Sequence, residues 1–144
     1  MAMAYQEKFT LAFGIIAVLV YAVYVAIVAP QLASTPIEDV AWVVPMLASI
    51  GAAIVAGIIV GIVLGIVSPK GADKEDERDR RIARFGDQVG NSIVVIGAIA
   101  AIILSMLRVD WFWIANAVYL AFVISAVLST MAKLAGYRGE MPTW

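Results

Sequence analysis

The chain has 144 residues, of which 63% are hydrophobic, and a mean hydropathy of +0.96. A soluble domain of this size would expose too much apolar surface to stay dissolved. The net charge of −1 gives no whole-chain attraction to nucleic acid, and no direct nucleic-acid binding is expected.

Four apolar runs, at 10–29, 40–67, 89–107 and 111–132, contain none of the 10 Lys/Arg and 11 Asp/Glu residues. Each can cross a hydrocarbon core of roughly 30 Å at about 1.5 Å per residue. The predicted fold class is an all-α membrane protein: an antiparallel bundle of four transmembrane helices in one domain, 1–144. The first run, Thr10–Ala29, is longer than an ordinary signal-peptide core and has little basic sequence before it, so it is read as a span. After it, Pro30 and Pro36 discourage helix, while Ser34, Thr35, Glu38 and Asp39 offer caps and negative charge to the next N-terminus. The second run, Val40–Val67, would be about 42 Å long if wholly helical, so it must tilt, kink or project, and Pro45 offers a kink point. Ser68-Pro69-Lys70-Gly71 ends it, and a charged segment at 70–87 leads into the third run. Only Arg108-Val109-Asp110 separates the third run from the fourth, which forces a tight antiparallel hairpin.

The basic residues predict orientation. Lys8, Lys133, Arg138 and the six cations between the second and third runs fall on one side, and only Arg108 falls on the other. By the positive-inside rule both termini and the 70–87 segment are cytoplasmic. Trp42, Trp111, Phe112 and Trp113 then sit in the outer interface, and Phe9, Phe85 and Tyr137 near the inner one.

Three sets of residues are candidates for function. Ser49, Ala53, Gly57, Gly61 and Gly65 recur every four residues on the second run, and missing side chains at that spacing let another helix approach closely. Such a stripe serves either packing within the bundle or contact with a second copy. The fourth run carries a similar row at Ala117, Ala121, Ser125 and Ser129.

The second set is the charged segment. Asp76/Arg80 and Glu77/Arg81 have the acid-first spacing that supports a helix, and Ile82, Phe85 and Val89 add an apolar ridge leading into the third span. Glu77, Arg78, Asp79, Arg80 and Arg81, with Ile82 and Phe85, therefore form either a solvated anchor or a docking element for a cytoplasmic protein or a second copy. The third set is intramembrane polarity: Asp87, Gln88 and Asn91 at one end of the third span, and Asn116 and Tyr119 in the fourth, with Tyr21 and Tyr24 in the first. These residues hydrogen-bond between helices or contact a solute. Asp87 has Arg84 and Arg81 on its own helix as available cations.

The string Asp76-Glu77-Arg78-Asp79-Arg80, followed by Arg84-Phe85-Gly86-Asp87, resembles that of uncharacterised small four-helix membrane proteins of bacteria and archaea, a domain of unknown function. The resemblance extends to Tyr5-Gln6-Glu7-Lys8, Ser68-Pro69-Lys70 and Phe112-Trp113-Ile114-Ala115-Asn116-Ala117, and so covers most of the chain. It implies the four-span topology and a role for the charged segment. It also suggests regulation by association, since such families often accompany small DNA-binding regulators.

With no Cys and no His, thiolate nucleophiles, iron–sulfur ligation, bis-histidine haem and the commonest metal ligand are absent. No cofactor, metal site or catalytic residue is expected. The expected function is a non-enzymatic, self-associating interaction or regulatory module in a prokaryotic inner membrane, in contact with the lipid bilayer. The alternative is a small pore or facilitator. The orientation is checked by single cysteines, free of native background. A membrane-impermeant maleimide added to intact cells is expected to label Ser34→Cys and spare Ala72→Cys; the opposite pattern would invert the topology.

Overall fold

The computed structural model describes residues 5–67 and 77–138, with the side chains of Tyr5 and Gln6 excepted. It contains four long helices: α1 (Tyr5–Ser34), α2 (Val43–Val67), α3 (Glu77–Met106) and α4 (Trp111–Tyr137). All four are long and apolar enough to cross a membrane. The chain is therefore an all-helical, multi-pass membrane protein by the length and composition of its helices.

The boundaries differ from the sequence reading at three places. First, α1 runs through Pro30 to Ser34. Proline deprives the carbonyl of residue 26 of its intrahelical donor, a loss that long apolar helices tolerate when neighbouring groups compensate. Here Gln31 reinforces the last turn. Its side-chain Nε2 donates to the Ile27 carbonyl at 3.2 Å, and its Oε1 accepts from the Ala41 amide at 2.9 Å. One side chain thereby ties the end of α1 to the approach to α2.

Second, α2 starts at Val43, and Glu38 and Asp39 belong to a short 3-10 turn, Ile37–Asp39, rather than to its cap. The Met46 amide donates to the Trp42 carbonyl at 3.0 Å, which puts Trp42 at the N-cap and Pro45 in the first turn. Amides there have no intrahelical acceptor, so Pro45 removes a donor the helix does not use and no kink is required of it. Third, the charged segment from Glu77 is continuous with the third span: α3 is one helix from Glu77 to Met106. Residues 70–76 lie outside the described residues.

The connection from α3 to α4 is a Schellman turn. The Val109 amide reaches the Leu104 carbonyl at 3.4 Å and the Arg108 amide the Ser105 carbonyl at 3.1 Å, with Arg108 left-handed at φ 57°. This 6→1 and 5→2 pair satisfies carbonyls that the helix end leaves open. Asp110 then caps α4 by accepting from the Phe112 amide at 2.9 Å.

The main contacts run α2–α1–α4–α3, with α3 and α4 packed most extensively. Glycines set the separations. A Cβ on Gly97 would collide with the Ala121 Cβ, one on Gly86 with the Lys133 stem, and one on Gly90 would stand 2.9 Å from Ser125 Oγ. On the other flank, a Cβ on Gly57 would stand 2.7 Å from the Phe13 ring. The core proper is small and lies at the end that carries Trp42 and Phe112. Tyr24, Val28, Val40, Met46, Phe112 and Tyr119 are buried together there. Large aliphatic side chains such as Leu47, Ile54, Ile58 and Ile62 of α2 are exposed, which suits a lipid solvent.

Arg108 is the informative position in the turn, because a left-handed backbone costs a side chain about 1–2 kcal/mol and a glycine little. Arg108→Gly is expected to be at least as stable as the parent in detergent unfolding. Arg108→Val, whose branched Cβ is worse suited to this region than arginine's, is expected to be less stable than the parent. Equal loss in both variants would show that the arginine side chain, not the backbone, matters there.

Candidate functional site

Two polar constellations stand out, one near each end of the helices. At the aromatic end, Tyr24 is 2% exposed. Its hydroxyl donates a short hydrogen bond to Asn116 Oδ1 on α4, and Asn116 Nδ2 donates to the Phe112 carbonyl at 2.8 Å. One turn along α4, Tyr119 OH lies 2.7 Å from Ser49 Oγ on α2, and Ser49 Oγ lies 2.8 Å from the Met46 carbonyl. A serine hydroxyl has one proton. If Ser49 donates it to the carbonyl, Tyr119 is the donor in the inter-helix bond. The rings close the cluster: Tyr119 meets Tyr21 and Tyr24 edge-on, with centroids 5.3 and 5.1 Å apart.

These few side chains tie α1 and α2 to α4. Among the described residues, no buried side-chain polar atom lacks a partner. The cluster therefore uses its hydrogen bonds on itself. Its chemistry is that of a lock between helices, and it offers neither a nucleophile with an adjacent base nor a metal-ligand set. No group of His, Cys, Asp or Glu able to hold a metal is found among the described residues; Asp73, Glu75 and Asp76 lie outside them.

At the opposite, charged end, α3 uses one face inward. An Arg78 guanidinium nitrogen donates to the carbonyls of Gly136 and Tyr137 at 3.2 and 3.0 Å. A cation there satisfies the open carbonyls of α4 and suits the negative end of its dipole. Ile82, one turn on, is 1% exposed. Gly86, another turn on, lies under the Lys133 stem, whose Nζ stands 3.2 Å from Asp87 Oδ1. Asp87 thus pairs across to α4 and not with Arg84 or Arg81 of its own helix. The absence of a Cβ at Gly86 is what lets the lysine cross.

The remaining candidates sort by exposure. Glu77, Arg80, Arg81 and Arg84 are exposed, as are Gln88 and Asn91, while Asp79 and Phe85 are half-buried. No ion pair joins Glu77 to Arg81 among the described residues. Gln88 and Asn91 do not share a site with Asn116 and Tyr119, which belong to the aromatic end. Of the α2 stripe, Ser49 and Gly57 are buried, and the Phe9 ring lies 3.2 Å from where a Gly61 Cβ would stand. Ala53 is half-buried, and among the described residues nothing lies within 4 Å of a Cβ on Gly65.

The α4 row Ala121, Ser125 and Ser129 meets glycines of α3, with Ser125 Oγ donating to the Gly90 carbonyl at 2.8 Å. The matching α3 stripe, Gly86, Gly90 and Gly97, was legible only as a spacing of four and seven residues within a polar-to-apolar transition. Lys133 was visible in sequence only as a topological charge. No family model, curated protein or solved structure matches the chain.

The lock has a measurable order of effects. Tyr24→Phe removes one inter-helix hydrogen bond and is expected to cost about 0.6 kcal/mol, the usual scale in a membrane. Asn116→Leu leaves the Tyr24 hydroxyl buried without its acceptor and is expected to cost more, about 1–3 kcal/mol. Reversible unfolding in mixed micelles checks the order; equal costs would mean that water replaces Asn116.

Proposed function

We propose that the chain is a non-enzymatic interaction or regulatory module of a prokaryotic inner membrane. It self-associates and docks a cytoplasmic protein through the exposed face of α3. The observation that carries this reading is the division of labour at the start of α3. Arg78 donates to the carbonyls that end α4 and Ile82 is buried, whereas Arg80, Arg81 and Arg84 are exposed and make no hydrogen bond or ion pair to α4 among the described residues. A helix whose inward face is locked can present its outward charges in a defined geometry, and such charges set orientation and partner choice more than raw affinity.

In this reading the helices form an antiparallel bundle with both termini and the charged segment in the cytoplasm. The reversed order of the inter-helix contacts supports the first part: Gly86, Gly90 and Gly97 meet Lys133, Ser125 and Ala121 in descending order. The one-sided distribution of cations supports the second. The resemblance to the uncharacterised four-helix family belongs with the same proposal. Self-association is supported by Gly65, where the small-residue stripe continues and no described residue lies within 4 Å of where a Cβ would stand. The absence of Cys and His supports a non-catalytic role.

The test reverses Arg80 and Arg84 together to Glu. The variant is expected to insert and fold normally, because neither side chain is used inside, and to lose at least tenfold in capture of its cytoplasmic partner, on the order of one charged pair. Arg78→Gln should instead lower stability. Unchanged capture by the double reversal, together with solute flux from proteoliposomes, would replace this reading with that of a small facilitator.

A further inference from the structure

Two grooves share Ala17 and Ala126 as lining residues. The first, about 300 Å³, lies between α1 and α4 at the charged end, where Thr10, Ser129, Thr130 and Lys133 line it beside Phe9 and Phe13. The second, about 290 Å³, continues between α1, α2 and α4 as far as Tyr119, past Val20, Ile54 and Phe122. From Lys133 to Tyr119 the path spans 14 residues of α4, about 21 Å along the axis. One leaflet of hydrocarbon is about 15 Å deep. Polar groups thus gather at one end of a groove that is otherwise apolar and somewhat longer than a leaflet is deep.

Among the described residues, Lys133 is the cation that lines this path, and its side chain is only 23% exposed. It stands four residues from the last residue of α4, about 6 Å from the helix end. A lysine near the end of a membrane helix extends its ammonium toward the headgroup layer. Its ammonium has three donors, so one carboxylate oxygen of the largely exposed Asp87 does not saturate it.

We propose that these two grooves together form a selective site for an anionic phospholipid. The phosphate sits on Lys133 with the hydroxyls of Thr10, Ser129 and Thr130 at hand, and one acyl chain runs past Ala17 and Ala126 toward Tyr119. Lipid of any kind wets an apolar groove; the selectivity comes from Lys133. Asp87 opposes it, because its carboxylate repels the phosphate it adjoins. The site requires a membrane but not the docking role of α3.

The experiment reconstitutes the full chain in vesicles of equal parts phosphatidylglycerol and phosphatidylcholine with identical acyl chains. Lipids retained after gentle solubilisation are quantified. Phosphatidylglycerol should be retained over phosphatidylcholine by about five- to tenfold, the scale of one lysine at an anionic headgroup. Lys133→Gln should abolish the preference and Lys133→Arg should keep it. Asp87→Asn should raise it, whereas a purely structural Lys133–Asp87 pair would make Asp87→Asn behave like Lys133→Gln and overturn the proposal. Ala126→Leu and Ala17→Leu, which fill the groove from opposite walls, should each lower retention of both lipids with helix content unchanged. Equal loss of preference in Arg138→Gln would reduce the effect to general surface charge and overturn the site. Binding of oleate at Lys133 without phosphatidylglycerol, or a change of oligomeric state without a change of lipid retention in the two Leu variants, would assign the groove to a free fatty acid or a second copy.

Discussion

An apolar side chain gains little by leaving lipid for a protein interior, so helices in a bilayer are held where backbones approach closely and where polar groups find each other. Both conditions are visible here, and they are separated along the helices. Gly86, Gly90 and Gly97 bring α3 onto α4, and Gly57 brings α2 under the Phe13 ring of α1. The Tyr24–Asn116 and Tyr119–Ser49 bonds then fix α1 and α2 against α4 near the aromatic end. The large aliphatic residues of α2 and α3 remain outside these contacts. Their role is to match the solvent.

The same economy explains the charged end. Charges that begin a membrane helix satisfy the need for an anchor in water wherever they point. Here Arg78 does more, because the α4 C-terminus ends beside it with open carbonyls. Lys133 likewise crosses to Asp87 only because position 86 is a glycine. The cytoplasm-facing segment of the proposal is thus built as two faces of one helix, one committed to the fold and one exposed. A docking role assigned to Ile82 from its apolar character alone has to be withdrawn, since that side chain is enclosed within the chain itself.

The proposed lipid site follows from the order of contacts α2–α1–α4–α3. When α1 and α4 lie between the other two, the seam beside them is not closed by a fourth wall. The groove ends where polar side chains of α1 and α4 coincide. Lipid selectivity and protein docking would then be read at the same end of the molecule, by different helices.

Length, hydropathy and the placement of charge determined the number of spans, their approximate limits and the tight turn at 108–110, because each depends only on neighbouring residues. The unbroken helix through Pro30 was not legible, since proline reads locally as a stop, and the tie from Gln31 to Ala41 joins residues ten apart in sequence. Among the candidate residues, Asn116 and Tyr119 could be picked out as polar groups in a span, but their partners Tyr24 and Ser49 could not be assigned. In lipid both faces of an apolar helix are equally comfortable, so no amphipathic pattern marks the buried one. Only the tertiary structure decided which helices are neighbours, which face of 77–87 is turned inward, and that Lys133 stands between a carboxylate and a groove.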